Sequence, residues 1–125
     1  MLFEINDKSE VPIYEQIRDG IVFGIASMTW KPGTELPSAR RLSVALGVNV
    51  NTANKAYTNL YDEGYIVQDR RRGTIVADKI SDDERFYSQL SRRLDLAAAE
   101  AICRGMSDMD FVSQCMTAYR KAKGG

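Results

Sequence analysis

Three consecutive arginines, Arg70, Arg71 and Arg72, run into Gly73 and Thr74, and upstream of them Asn49, Asn51, Thr52, Asn54 and Lys55 crowd into one short stretch. A guanidinium presents a planar fork of N–H donors that matches the oxygens of a phosphate or carboxylate. An asparagine amide sets a donor beside an acceptor, the pattern that grips adenine N6 and N7, and a threonine can touch a thymine methyl or a phosphate. Further upstream, Ser38, Arg40 and Arg41 add a hydroxyl and two more cations. Side chains of these types bind and discriminate; they do not make or break bonds. The chain contains no histidine, which removes the usual general base, the usual metal ligand and any Ser–His or Cys–His pairing. There is no clustered glycine-rich site and no Cys-x-x-Cys. An enzyme is therefore not expected, and neither a metal nor another cofactor is called for.

Recognition side chains need rigid elements to aim them, and the hydrophobic spacing supplies candidates. Pro37-Ser38 opens a short helix with Ser38 as its N-cap, Leu42, Leu46 and Val48 as apolar positions, and Gly47 at the turn. Asn49 reads as the cap of a second helix running to about Glu63, whose inner face is Ala53, Ala56, Tyr57 and Leu60. Alanines at 53 and 56 let two helices cross closely, and Gly64 stops the second helix. Two β-rich runs follow, Tyr65–Gln68 and Thr74–Val76, with a connection of about five residues, 69–73, between them. Helix, glycine turn, helix and hairpin, in that order, make a winged helix-turn-helix, which places its second helix in the major groove of DNA.

On this reading Asn51, Thr52, Asn54 and Lys55 reach base edges or phosphates; the plainer alternative is a solvated polar face with Asn49 and Thr52 as caps. Arginines on a wing suit the minor groove or flanking phosphates, against the alternative of a charged tip held in water. Ser38 can cap its helix and also touch a phosphate, and Arg41 has a nearby carboxylate as its alternative partner. Gly73 and Thr74 are needed for the backbone first and for phosphate contact second. Tyr57, Tyr61 and Tyr65 resemble a stacking platform for bases, but they fall on a core-facing helix and its exit, so packing is expected.

Elements flank this module on both sides. Pro12 opens an N-terminal helix with Tyr14, Ile17, Ile21 and Ile25 on one face, ending before Lys31-Pro32-Gly33. Gly20 and Gly24 each cost about 1 kcal/mol against alanine inside a helix, and a close helix–helix contact would explain both. Beyond Ser81, which with Asp82 is a candidate cap, Phe86, Leu90, Leu94, Ala97 and Ala101 form a helical stripe. After a break at Gly105, Ser107-Asp108-Met109-Asp110 resembles a capping box with aspartate for glutamate, and Phe111, Cys115, Ala118 and Ala122 line a last helix. The KAKGG tail is expected to fray.

The expected fold is mainly α with a small β-hairpin: a winged helix-turn-helix over residues 1–78 and a two-helix appendage over 79–125. One helix cannot bury the 86–101 stripe alone. A homodimer is expected, with Phe86, Leu90, Leu94, Ala97, Ala101, Phe111 and Cys115 at its interface, because two copies on a palindrome multiply the affinity of a short half-site.

Charge supports the module only when it is mapped. The whole chain is neutral, yet residues 1–30 carry a net −3, residues 31–80 a net +3, and residues 81–125 balance. A local field outweighs the total. Cys103 and Cys115 lie on different helices and read as small hydrophobes, with a redox or metal role as the alternative. No run approaches the roughly 20 apolar residues of a membrane span, and MLFEINDKSE lacks the form of a secretory signal. A cytoplasmic protein with no membrane partner is expected.

Five segments then carry a family resemblance: PIYEQI at 12–17, KPGTELPSARRLSVALGV at 31–48, NTANKAY at 51–57, DEGYI at 62–66 and RGTIV at 72–76. Together they resemble the DNA-binding domain of GntR-type bacterial transcriptional regulators, in particular the short YtrA-like branch, over about the first 78 residues. The resemblance implies a regulator, usually a repressor that occludes polymerase, bound to a double-stranded operator. It implies DNA contact by Arg40, which matches the arginine of the PS-x-R motif, and dimerisation through the C-terminal helical pair. Three departures stand out: Val50 where relatives carry arginine or proline, Asn54 where arginine is frequent, and Arg71 in place of the first wing glycine. The operator sequence therefore cannot be borrowed from a relative. A small-molecule effector of unidentified kind is a further partner to consider, though no convergent polar set names its site. The rival reading is a winged helix used for protein docking without DNA contact.

Overall fold

The computed structural model describes residues 3–124. It divides into two compact units, Met1–Ile80 and Ser81–Gly125. The first holds three helices, α1 (Ile13–Ala26), α2 (Ala39–Leu46) and α3 (Val50–Asp62), followed by a hairpin of β1 (Ile66–Asp69) and β2 (Gly73–Val76). The second holds α4 (Glu84–Cys103) and α5 (Asp108–Ala122).

The centre of the first unit is the inner face of α3. Ala53, Ala56 and Leu60 are fully buried and Tyr57 nearly so, and this face packs on both α1 and α2. Ile17 and Ile21 of α1, Leu42 of α2, Ile66 of β1 and Val76 of β2 close the core around it. The small side chains at 53 and 56 let the helices approach. Replacing Leu60 by alanine would leave a cavity at the point where three elements meet, at a cost of about 2–5 kcal/mol.

Local chemistry sets the ends of these elements. Ser38 caps α2 by accepting from the Arg41 N–H, and Asn49 caps α3 by accepting from the Asn51 N–H. Gly47 takes a left-handed conformation, φ +70°, in the turn between the two helices. Pro12 precedes α1 as its cap residue instead of occupying its first turn. The helix ends at Ala26, ahead of the Lys31-Pro32-Gly33 signal, and Met28 supplies the left-handed residue there.

The two helical glycines of α1 have a different cause from the one their spacing suggests. A Cβ on Gly20 would lie 2.6 Å from the ring of Phe3, and one on Gly24 would overlap the ring of Trp30. Two aromatic rings from outside the helix, and not a crossing helix, occupy the space.

The hairpin connection is also tighter than expected. Asp69 pairs with Gly73, leaving Arg70, Arg71 and Arg72 as a three-residue loop. Gly73 is the left-handed residue, φ +77°, that such loops require. No glycine is needed at Arg71, because the Asp69 carboxylate accepts from the N–H of Arg71 at 2.8 Å and of Arg72 at 3.0 Å and so shapes the turn. At its base, β2 also pairs with the segment before α2 through an isolated bridge, Glu35 to Ile75.

In the second unit Asp83, not Ser81 or Asp82, caps α4, accepting from the Phe86 N–H at 2.9 Å. Ser107 caps α5 by accepting from the Asp110 N–H, while Asp108 takes the N–H of Met109. Only one half of a capping box is therefore formed. Gly125, at the end of the tail expected to fray, lies outside the described residues, as do Met1 and Leu2 of the N-terminal stretch. No helix among the described residues is long and apolar enough to cross a membrane.

Candidate nucleic-acid interface

With its inner face sealed, α3 turns Asn51, Asn54 and Thr58 outward, all exposed and spaced three and four residues apart. They form one polar line along the helix. Thr58 belongs to that line and was not among the residues singled out from sequence; its position one turn beyond Asn54 was the available signal. Thr52 is half-buried at the helix start, and the Asn49 side chain is committed to capping. Lys55 leaves the line: its Nζ sits 4.0 Å from the centre of the Tyr14 ring on α1, a cation–π contact.

Between the start of α2, the outer side of α3 and the hairpin lies a cleft of about 490 Å³. Ser38, Arg41, Asn54, Thr58, Gln68 and Arg72 are among its lining. Arg40 and Arg41 are both exposed on the first turn of α2. Neither forms an ion pair among the described residues, so the carboxylate partner considered for Arg41 is not seen.

The three wing arginines look equivalent in sequence and are not equivalent in the fold. Arg72 reaches back to donate to the Gly33 carbonyl at 3.3 Å and lies 3.7 Å from the Asp69 carboxylate. Arg70 and Arg71 are exposed and have no ion-pair partner among the described residues. The N–H groups of Arg72 and Arg71 hold the Asp69 carboxyl below the usual carboxylate range, so it stays charged and keeps the turn shut.

Gly73 is half-buried. Thr74 is buried, and its Oγ lies 2.9 Å from the Tyr61 hydroxyl, so its side chain already has a partner within the protein. Tyr57 packs as expected and donates its hydroxyl to the Pro37 carbonyl, tying α3 to the entry of α2. Burial, with a smaller contribution from neighbouring Tyr61, pushes its phenol up, so it remains a donor. Tyr65 is half-buried under the Arg18 guanidinium, 5.5 Å from its ring centre. Arg18 also clamps Glu63, the residue closing α3, at 2.5 Å. Burial works against its charge, yet the hydrogen bonds to Glu63 and Asp19 outweigh that and raise its pKa.

In the second unit Ala101 is buried, Leu90 and Phe111 are half-buried, and Phe86, Leu94, Ala97 and Cys115 are exposed. Met109, Val112, Met116 and Tyr119 form a second exposed apolar stripe along α5, at spacings of three, four and three. It runs beside the 111, 115, 118 and 122 positions read from sequence. Cys103 and Cys115 are free and exposed. No group of three potential metal ligands gathers among the described residues.

Comparison with known proteins agrees with this geometry. The family described as "Bacterial regulatory proteins, gntR family" matches residues 13–76. The HTH-type transcriptional repressor YtrA of Bacillus subtilis is 39% identical over 77 residues, a match covering 62% of this chain and 59% of that protein. The match thus spans about three fifths of that relative's length. Among solved structures, a transcriptional antiterminator from Listeria monocytogenes superposes with a TM-score of 0.91 at 27% identity, covering 100% of this chain and 95% of that one. The DNA-binding domain of AraR, solved in complex with its operator ORX1, gives a TM-score of 0.52 at 26% identity, covering 62% of this chain and 95% of that one.

Proposed function

Because the chain belongs to the gntR family of bacterial regulatory proteins, and within it resembles the YtrA-like branch, we propose that it is a sequence-specific DNA-binding repressor. It acts in the cytoplasm, by binding and not by catalysis, on a palindromic operator that it grips as a homodimer. The observation that carries this reading is the outward line of Asn51, Asn54 and Thr58 on a helix whose opposite face is sealed, beside a wing tip where Arg70 and Arg71 form no ion pair among the described residues.

In this reading α3 enters the major groove, where the asparagine amides meet base edges. Thr52 meets the phosphates at the helix start, and Lys55 reaches them by leaving the Tyr14 ring. Arg40, Arg41 and the Ser38 hydroxyl meet the backbone across the cleft, while Arg70 and Arg71 enter the adjacent minor groove or hold its flanking phosphates. Gly73 and Thr74 shape the wing that carries them. Support for operator binding comes from the AraR domain of the same shape, solved on its operator.

The second unit supplies the dimer. Among its described residues only Ala101 is buried, so α4 and α5 do not enclose a core of their own. Burying exposed apolar side chains is worth about 25 cal/mol per Å², and a second copy offers the same stripes in return. Phe86, Leu90, Leu94, Ala97, Ala101, Phe111 and Cys115 belong to that surface, and the α5 stripe from Met109 to Tyr119 joins them.

Selection of bound duplexes from a random pool tests the proposal. The expected product is an inverted repeat whose half-sites change when Asn51 or Asn54 is replaced. A pool that emerges unenriched at low ionic strength would overturn it.

A further inference from the structure

The Tyr61 hydroxyl does more than fill space. It donates to Gln68 Oε1 at 2.8 Å and lies 2.9 Å from Thr74 Oγ1. A phenol has one proton to give and lone pairs to receive, so Thr74 donates to it in turn. Gln68 and Thr74 face each other across the hairpin, and they form the last pair before the Asp69–Gly73 closure. One side chain in the last turn of α3 therefore holds both strands of the wing at its far end. β2 is also held on its other side by backbone bonds to the segment before α2, Leu36 N–H to Thr74 O at 2.8 Å and Val76 N–H to Thr34 O at 2.9 Å, whereas the Tyr61 hydroxyl is what joins Gln68 of β1 to α3.

We propose that Tyr61 is a positioning residue: by bridging Gln68 and Thr74 it locks the distal wing to α3, so that the arginine tip and the Asn51–Asn54–Thr58 line meet a duplex at one fixed spacing. The proposal rests on the DNA-binding reading for its consequence, but not for its geometry. Tyr57, one turn earlier, holds the entry of α2 through the Pro37 carbonyl. The two hydroxyls thus tie the two walls of the cleft to the same helix. A two-stranded hairpin alone is marginal in water, so a tip left without this clamp would sample several distances from α3.

The test uses the full chain with Tyr61→Phe, which keeps the ring and its packing and removes only the hydroxyl. Amide hydrogen exchange in the DNA-free protein is the first readout. Losing both hydrogen bonds of that hydroxyl, each of ordinary net worth, should speed exchange at Gln68 to Thr74 by about thirtyfold, with Leu60 and the core of α3 unchanged. Hydroxyl-radical footprinting on a duplex selected by the wild-type protein is the second. The variant should lose protection over the wing flank and keep it over the α3 contact. Wing exchange equal to wild type, or acceleration spread evenly over α1 to α3, overturns the clamp; faster wing exchange with an unchanged footprint overturns its role in spacing. A wild-type protein that selects no duplex would sink the DNA-binding reading, and the exchange measurement would still decide the clamp.

Discussion

Removing Arg70 and Arg71 together should change how affinity depends on salt far more than removing Arg72. The ion pairs among the described residues are Arg18–Asp19, Arg18–Glu63 and Arg72–Asp69, so the first two wing arginines carry whole charges into solvent. Each phosphate that such a charge neutralises releases condensed cations and contributes about 0.9 to the slope of log affinity against log salt. Two arginines give about 1.8 per protomer and about 3.6 for a dimer. Over a fourfold rise in salt, from roughly 50 to 200 mM, the wild-type advantage over Arg70→Ala/Arg71→Ala should then shrink by about two orders of magnitude. Arg72 spends part of its donor capacity on the Gly33 carbonyl and lies beside Asp69, so Arg72→Ala should move the slope by less than about 0.9 per protomer. Fluorescence anisotropy with a labelled duplex, titrated at several salt concentrations, measures this directly. Equal slopes for the double variant and the wild type would refute the assignment of the wing tip to phosphates, and a larger effect from Arg72→Ala would refute the division of labour among the three.

Three more outcomes follow from the same contacts. The folded-state pKa of Asp69 lies below its unfolded value, so its hold on the turn is fully present above the unfolded value of about 3.9 and is lost as pH falls through the depressed one. The Arg71 and Arg72 amide resonances should titrate with a midpoint below that of an ordinary aspartate, and a midpoint at the ordinary value would contradict the turn geometry. Gly24→Ala gains about 1 kcal/mol in helix propensity but forces a methyl into the Trp30 ring, an overpacking worth about 1–3 kcal/mol. The expected result is a lower melting temperature with shifted fluorescence from the chain's single tryptophan, and a stabilised variant would count against that contact. Leu94→Asp should convert a dimer into a helical monomer in sedimentation at micromolar concentration; a wild-type chain already monomeric there would remove the dimer from the proposal.

Much of the first unit was legible because its signals are local. The i, i+3, i+4, i+7 set at Ala53, Ala56, Tyr57 and Leu60 marks the buried face of α3, Asn49 marks its start, and Ser38 and Gly47 mark the ends of α2. Where the reading missed, the deciding partner was distant or the pattern was degenerate. Spacing alone shows that something small is needed at Gly20 and Gly24, but nothing in the helix names Phe3 and Trp30 as the occupants. The wing shortened to three residues because one carboxylate, Asp69, collects two backbone N–H groups, an effect that β-propensity does not contain. In α5 two neighbouring stripes both satisfy helical periodicity. The 111, 115, 118 and 122 stripe holds the two half-buried residues of α5, Phe111 and Ala122, while the larger Met109, Val112, Met116 and Tyr119 lie exposed beside it.

The recognition surface was readable as a set of residue types and unreadable as a set of free side chains. Composition counts Lys55, Arg72 and Thr74 with the rest, whereas the fold gives each of them a partner: the Tyr14 ring, the Gly33 carbonyl and the Tyr61 hydroxyl. A net local charge of +3 therefore does not say which cations a duplex would meet. The distinction matters for any alanine scan of the wing. Loss of Arg70 or Arg71 should act through the salt slope and leave the free protein unaltered. Loss of Arg72 or of the Tyr61 hydroxyl should instead loosen the hairpin before DNA arrives, and its effect on affinity should scale with wing exchange and not with counterion release. Two variants with the same affinity at one salt concentration can thus differ in mechanism, and only the pairing of a salt series with exchange in the free protein separates a contact from its support.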